Sequence, residues 1–138
     1  MKPDDSREER VGVFVGILGK SVEQTAGAKS SNTSQEQSSY ASGNISFRLA
    51  LTGPCVSLDT ACSSQLVASH YAWSALRDKE CSDAVAAGVG LLGEACSRSF
   101  AAMGMLSLHG RCHTFDTRAD GYSRGEGCVC FLLSTSDN

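Results

Sequence analysis

The sequence predicts an α/β fold, and three observations predict it. Short apolar runs that read as strands recur at residues 11–18, 55–58, 84–89 and 128–133. Helix-like segments lie between them, the longest an alanine-rich stretch over residues 63–77. The run Val56-Ser57-Leu58 passes through Asp59-Thr60-Ala61 to a single cysteine, Cys62, and that alanine-rich stretch begins at once.

Taken in order, residues 11–18 form an apolar run stopped by Gly19, as a buried strand would be. Residues 21–39 are rich in Ser, Thr, Gln and Asn without periodicity, which reads as a surface loop or a loosely held helix. Residues 40–51 place Ile45, Phe47, Leu49 and Leu51 behind Ser42-Gly43-Asn44, and a short helix is expected. Thr52-Gly53-Pro54 is a turn, and residues 55–58 are the strand that leads to Cys62. The helix over 63–77 is apolar nearly all round, which predicts a buried helix, and Arg77-Asp78-Lys79-Glu80 ends it in solvent. A strand at 84–89 runs into Gly88, Gly90 and Gly93, and another short helix is expected over 98–106. Residues 106–126 are punctuated by Gly and Asp with little regular pattern, and a loop of that length is usually functional. Residues 128–133 are the last strand. Neither end of the sequence reads as the end of a finished domain.

Composition bounds the function. The chain has 138 residues, 41% hydrophobic and 20% charged, enough for a modest single core. A net charge of −3 without a basic cluster argues against nucleic acid as a partner. No apolar run is long enough to span a bilayer, so no membrane partner is expected. The polar, charged first ten residues are not a secretory signal, which points to the cytoplasm or another intracellular compartment. Seven cysteines, an odd number at irregular spacing, then read as reduced thiols rather than a disulfide framework. With no C-x-x-C pair, no metal site is expected.

Cys62 is the candidate catalytic residue. A thiol at a strand–helix junction meets unpaired backbone N–H groups and the positive end of the helix dipole, both of which favour a thiolate nucleophile. Ala61, Ser63 and Ser64 are small and permit close approach, while Asp59 and Thr60 can cap the helix or brace the turn. The competing reading is a buried, inert cysteine. Of the three histidines, His70 lies about two turns along the same helix and reads as a packed side chain pointing away from the thiol. His109 and His113 flank a glycine turn and are weaker candidates for the site. In the loop that follows, Asp116 and Asp120 suit turn-bracing roles, and Arg124 and Glu126 could pair on one side of an extended stretch. Gly88-Val89-Gly90-Leu91-Leu92-Gly93 formally matches a dinucleotide-binding pattern, but close packing against the Cys62 helix accounts for it better.

These segments together resemble the ketosynthase domain of polyketide synthases, a branch of the β-ketoacyl synthase family. Asp59-Thr60-Ala61-Cys62-Ser63-Ser64-Gln65-Leu66 resembles the family's DTACSSSL nucleophile motif, residues 110–116 resemble GRCKTFD, and residues 119–127 resemble ADGYVRGEG. The likeness runs in order from about residue 40 to 133, so residues 1–138 read as an incomplete N-terminal region of that domain. Gln65 stands where a third serine is usual, Asn44 where arginine is common, and Leu108-His109 where a proline and an acidic residue are usual. Of these, Gln65 is the one expected close to the nucleophile.

The resemblance implies a partial thiolase-like fold, the N-terminal half of a layered α/β/α/β/α sandwich that is homodimeric in the full domain, with the strand at 55–58 at the dimer contact. It implies decarboxylative Claisen condensation, with Cys62 accepting an acyl group from the phosphopantetheine thioester of an acyl carrier protein and a malonyl-type thioester as extender. No cofactor is expected to bind the chain directly. The family's catalytic histidines belong to HGTGT and NxGH motifs, which this sequence lacks, so the isolated chain is expected to be inactive in condensation. Three other readings stay open: a thiolase or starter-unit ketosynthase, a non-catalytic ketosynthase-like partner subunit, and a nucleotide-binding module built on Gly88–Gly93.

Overall fold

The computed structural model describes residues 10–18 and 38–135. The segment at 21–37 for which the sequence suggests a loop or loose helix lies outside them. Among the described residues, four strands form one sheet: β1 (Val11–Leu18), β2 (Cys55–Leu58), β3 (Asp83–Gly90) and β4 (Gly127–Ser134). Three helices lie between them: α1 (Ala41–Arg48), entered through a 3-10 turn at Ser38–Tyr40, α2 (Ser64–Arg77) and α3 (Glu94–Ala102). No described helix is long and apolar enough to cross a membrane.

The sheet order is β2-β1-β3-β4. β1 pairs in parallel with both β2 and β3, and β4 closes the far edge antiparallel to β3. Side-chain alternation along the strands then divides the core in two. Val13 and Val15 of β1 and Ala87 of β3 face one way and pack with Ala41 and Ile45 of α1. Phe14 of β1 and Ala84 and Ala86 of β3 face the other way and pack with Ala68, Ala72, Ala75 and Leu76 of α2. One helix on each face of the three parallel strands buries both faces of β1, which explains the unbroken apolar character of that strand.

α2 departs from the sequence expectation. Its buried side is made of small residues, Ser64, Ala68, Ala72 and Ala75, with Leu76 near the end. Leu66 and Trp73 are 74% and 52% exposed, and Tyr71 is also exposed, so the helix is not buried all round. Alanines four apart let the helix axis approach the sheet closely, and the larger apolar groups are thereby turned outward. Trp73 carries the Arg77 guanidinium 4.8 Å over its ring. His70 is exposed rather than packed in the core, with its ring 6.1 Å from that of Trp73.

α3 begins four residues earlier than the expected 98–106 helix. Gly93 caps it in an extended conformation with Glu94 in its first turn. The apolar cluster at residues 100–106 suggests a later helix, whereas the chain leaves α3 at Met103 and Gly104 takes a positive φ of 69°.

Candidate active site

The parallel strands β1, β2 and β3 end on one side of the sheet, and candidate residues collect there. Open α/β sheets place their sites beyond the carboxyl ends of their strands. β2 ends at Leu58, and five residues, 59–63, separate it from the first residue of α2.

So short a connection needs an abrupt reversal, and Ala61 supplies it with φ 57°, a left-handed conformation that costs a non-glycine residue about 1 kcal/mol. The strain is held by hydrogen bonds within the turn. Asp59 Oδ1 accepts the Ala61 N–H at 2.9 Å. The Ser64 hydroxyl donates to the Ala61 carbonyl at 2.6 Å and accepts the Thr60 N–H at 2.9 Å. The Ser63 hydroxyl donates to the Thr60 carbonyl at 2.7 Å. Asp59 and Thr60 therefore brace the turn, as the sequence suggests. Ser64, expected as a small residue permitting close approach, is instead 4% exposed and makes two of these bonds from beneath the turn.

Cys62 follows Ala61 directly and is exposed. It is a presented thiol, not the buried cysteine of the competing reading. Cys81 is the contrast: it is buried in the α2 core, and burial pushes its thiol pKa up. Among the described residues no hydrogen bond joins Cys62 to any of the three histidines. His70 projects from the second turn of α2, whereas Cys62 precedes the first residue of that helix. His109 lies in the loop after α3, its N–H held by the Ser107 hydroxyl at 3.2 Å.

The first turn of α2 is seated on glycine. A Cβ on Gly16 of β1 would lie 2.5 Å from the Ser64 carbonyl carbon and oxygen, and a Cβ on Gly88 of β3 would run into the Gln65 side chain. Close packing beside the Cys62 helix thus accounts for Gly88, as expected. A Cβ on Gly90 or Gly93 would meet nothing within 4 Å, so close packing does not explain those two glycines. Gly16 could have been found from sequence, because a glycine inside an apolar strand marks a close backbone approach. The dinucleotide reading loses its physical basis here, since Glu126 Oε2 accepts the Leu92 N–H at 3.2 Å and puts a carboxylate where a pyrophosphate would need N–H groups.

Arg124 and Glu126 do not pair with each other. Arg124 donates to the Ser97 hydroxyl at 2.7 Å and lies 5.1 Å over the Phe100 ring, while Glu126 holds the loop before α3. Arg124 therefore ties the long loop to α3, and Glu126 ties it to the segment just before that helix. The carboxylates behave as expected: Asp116 accepts the Arg118 N–H at 2.9 Å and Asp120 accepts the Leu108 N–H at 3.1 Å. The Arg118 guanidinium beside Asp116 lowers its carboxyl pKa, and a hydrogen bond from Ser107 foremost lowers that of Asp120.

Comparison with known proteins agrees over the whole length. The family model "Beta-ketoacyl synthase, N-terminal domain" matches residues 1–138. The chain is 44% identical over 133 residues to a mycocerosic acid synthase-like polyketide synthase of Mycobacterium tuberculosis, covering 90% of this chain and 6% of that protein. It is 40% identical over 129 residues to a non-reducing polyketide synthase of Penicillium roqueforti, covering 91% of this chain and 5% of that protein. Among solved structures, the ketosynthase from module 6 of the bacillaene synthase of Bacillus subtilis 168 superposes with a TM-score of 0.79 at 34% identity, over 93% of this chain and 22% of the other. An oxazolomycin ketosynthase domain from Streptomyces albus JA3453 gives 0.78 at 34% identity, over 91% and 23%. The chain thus spans about a fifth of these ketosynthase structures.

Proposed function

Because the chain belongs to the β-ketoacyl synthase family, with polyketide synthase ketosynthases as its relatives, we propose that Cys62 is the acyl-accepting nucleophile of a ketosynthase. The observation that carries this reading is the exposed Cys62 held directly after the strained Ala61, at the carboxyl end of the parallel strands and ahead of α2.

In the proposed reaction the Cys62 sulfur attacks the carbonyl carbon of an acyl thioester borne on a carrier protein's phosphopantetheine. A tetrahedral adduct forms, and the Cys62 backbone N–H meets its oxyanion from one side. The adduct collapses to an acyl-Cys62 thioester and releases the carrier thiol. A malonyl-type thioester then loses carbon dioxide, and its carbanion attacks the acyl-Cys62 carbonyl. The ketoacyl group leaves on the second carrier and the Cys62 thiol returns. The small side chains of Ala61 and Ser63 leave the approach to the sulfur open.

The decarboxylation step is where the 138 residues fall short, since no HGTGT or NxGH motif occurs in them. We therefore assign acyl acceptance to this region and condensation to a domain that contains it. The homodimer contact is proposed at β2, a reading supported by its edge position and by exposed Cys55 and Val56.

The test is to offer the chain an acyl group on coenzyme A and on an acyl carrier protein and to map the acylated cysteine by peptide mass spectrometry. Labelling of Cys62, faster from the carrier protein, supports the ketosynthase reading. Preference for coenzyme A points to a thiolase or starter-unit enzyme, and an unlabelled Cys62 overturns the proposal.

A further inference from the structure

Gln65 is three residues after Cys62, on the first turn of α2. Its side chain does not run out to solvent. It crosses to β3, where Nε2 reaches the Ala86 carbonyl at 3.5 Å, and its Oε1 is buried without a hydrogen-bond partner. A buried amide oxygen left unpaired is costly, so packing must hold the side chain there. The packing surface is Gly88. A Cβ at that position would lie 2.8 Å from both Cβ and Cδ of Gln65 and closer still to Oε1. Gly88 is also the register partner of Gly16, which receives the Ser64 backbone in the same way. The first turn of α2 therefore stands on the sheet at two adjacent points. At one the contact is made by backbone, at the other by the Gln65 side chain.

We propose that Gln65 and Gly88 form a size-matched pair that sets the seating of the first turn of α2, making Gln65 a positioning residue for Cys62. The glutamine fills the notch that the missing Cβ leaves. Enlarging Gly88 with Gln65 in place drives the turn off the sheet, whereas glycine at 65, which removes the clashing Cβ as well as the amide, makes room for a Cβ at 88. The role assigned to Cys62 rests on the proposed function, but the pairing of 65 with 88 does not.

The experiment is a double-mutant cycle on the 138-residue chain: Gly88→Ala, Gln65→Gly, and both together. Two rates are read at Cys62 by peptide mass spectrometry: acylation from a hexanoyl thioester of coenzyme A, and alkylation by iodoacetamide relative to the exposed Cys55. Gly88→Ala is expected to slow acylation about tenfold or more, because a displaced nucleophile loses its alignment. It is also expected to shift the Cys62-to-Cys55 alkylation ratio severalfold. Adding Gln65→Gly restores both toward the values of Gln65→Gly alone. If Gly88→Ala fails to fold, recovery of its circular dichroism on adding Gln65→Gly is the same rescue. Equal damage by Gly88→Ala with and without Gln65→Gly overturns the inference. Absence of acylation in the unsubstituted chain, with the alkylation cycle still non-additive, overturns the proposed function and leaves the pairing standing.

Discussion

Gly16 and Gly88 are register partners in adjacent parallel strands, and both turn their missing side chains toward the first turn of α2. Two strands without Cβ atoms at one level make a shallow seat in the sheet. Ser64 and Gln65 occupy it, and the seat therefore fixes where the Cys62 turn stands relative to the strand ends.

Gly16→Ala is expected to destabilise the fold. The added Cβ would meet Ser64 backbone at 2.5 Å, and a helix backbone cannot turn aside as a flexible side chain can. Urea unfolding should show a loss of about 1–3 kcal/mol, in the range of overpacked cores. An unchanged midpoint would mean that α2 does not sit where described.

Ala61 gives a prediction of opposite sign. Its φ of 57° suits glycine, so Ala61→Gly should leave stability unchanged or raise it by up to about 1 kcal/mol. Ala61→Val should lower stability, because a β-branched residue tolerates that conformation least. Thermal unfolding of the pair checks the order, and a valine variant as stable as the glycine one would refute the left-handed turn.

Ser64→Ala removes the hydroxyl that fastens Thr60 and Ala61. The expected loss is about 1–3 kcal/mol, since the Thr60 N–H loses its partner in a half-buried place. Faster hydrogen exchange at the Thr60 amide is the local signature, and an unmoved exchange rate would count against the bracing.

The loop at 106–126 should loosen on acidification. Asp120 and Asp116 have folded-state pKa values lowered below the ordinary carboxylate value, so each contributes stability above that value and loses it as pH falls through the folded one. The amides of Leu108 and Arg118, whose N–H groups these carboxylates accept, should titrate with midpoints below about 3.9 in nuclear magnetic resonance spectra. Midpoints above that value would contradict the bonding described.

Much of this was legible in the sequence. All four strands and α2 carry strong local patterns, α1 carries a weaker one, and the run from Asp59 to Ser64 marks the strand–helix junction by itself. What stayed hidden depends on which side of a helix meets the sheet. Alanines at 68, 72 and 75 look no more interior than Leu66 or Trp73 until Gly16 and Gly88 show that α2 lies close. The pairing of Arg124 with Glu126 failed for a related reason. Spacing in an extended stretch fixes which residues share a side, but not that α3 supplies Ser97 and Phe100 as a better partner for the arginine.

The most direct measurement is the mass of the Cys62 peptide after the chain meets a hexanoyl thioester on an acyl carrier protein. A nucleophilic Cys62 should gain one hexanoyl group, Cys62→Ala should gain none, and a malonyl carrier added to the chain alone should yield no ketoacyl product. Acylation that persists in Cys62→Ala, or that settles on Cys55 or Cys112 while Cys62 stays free, would contradict the role assigned to this thiol.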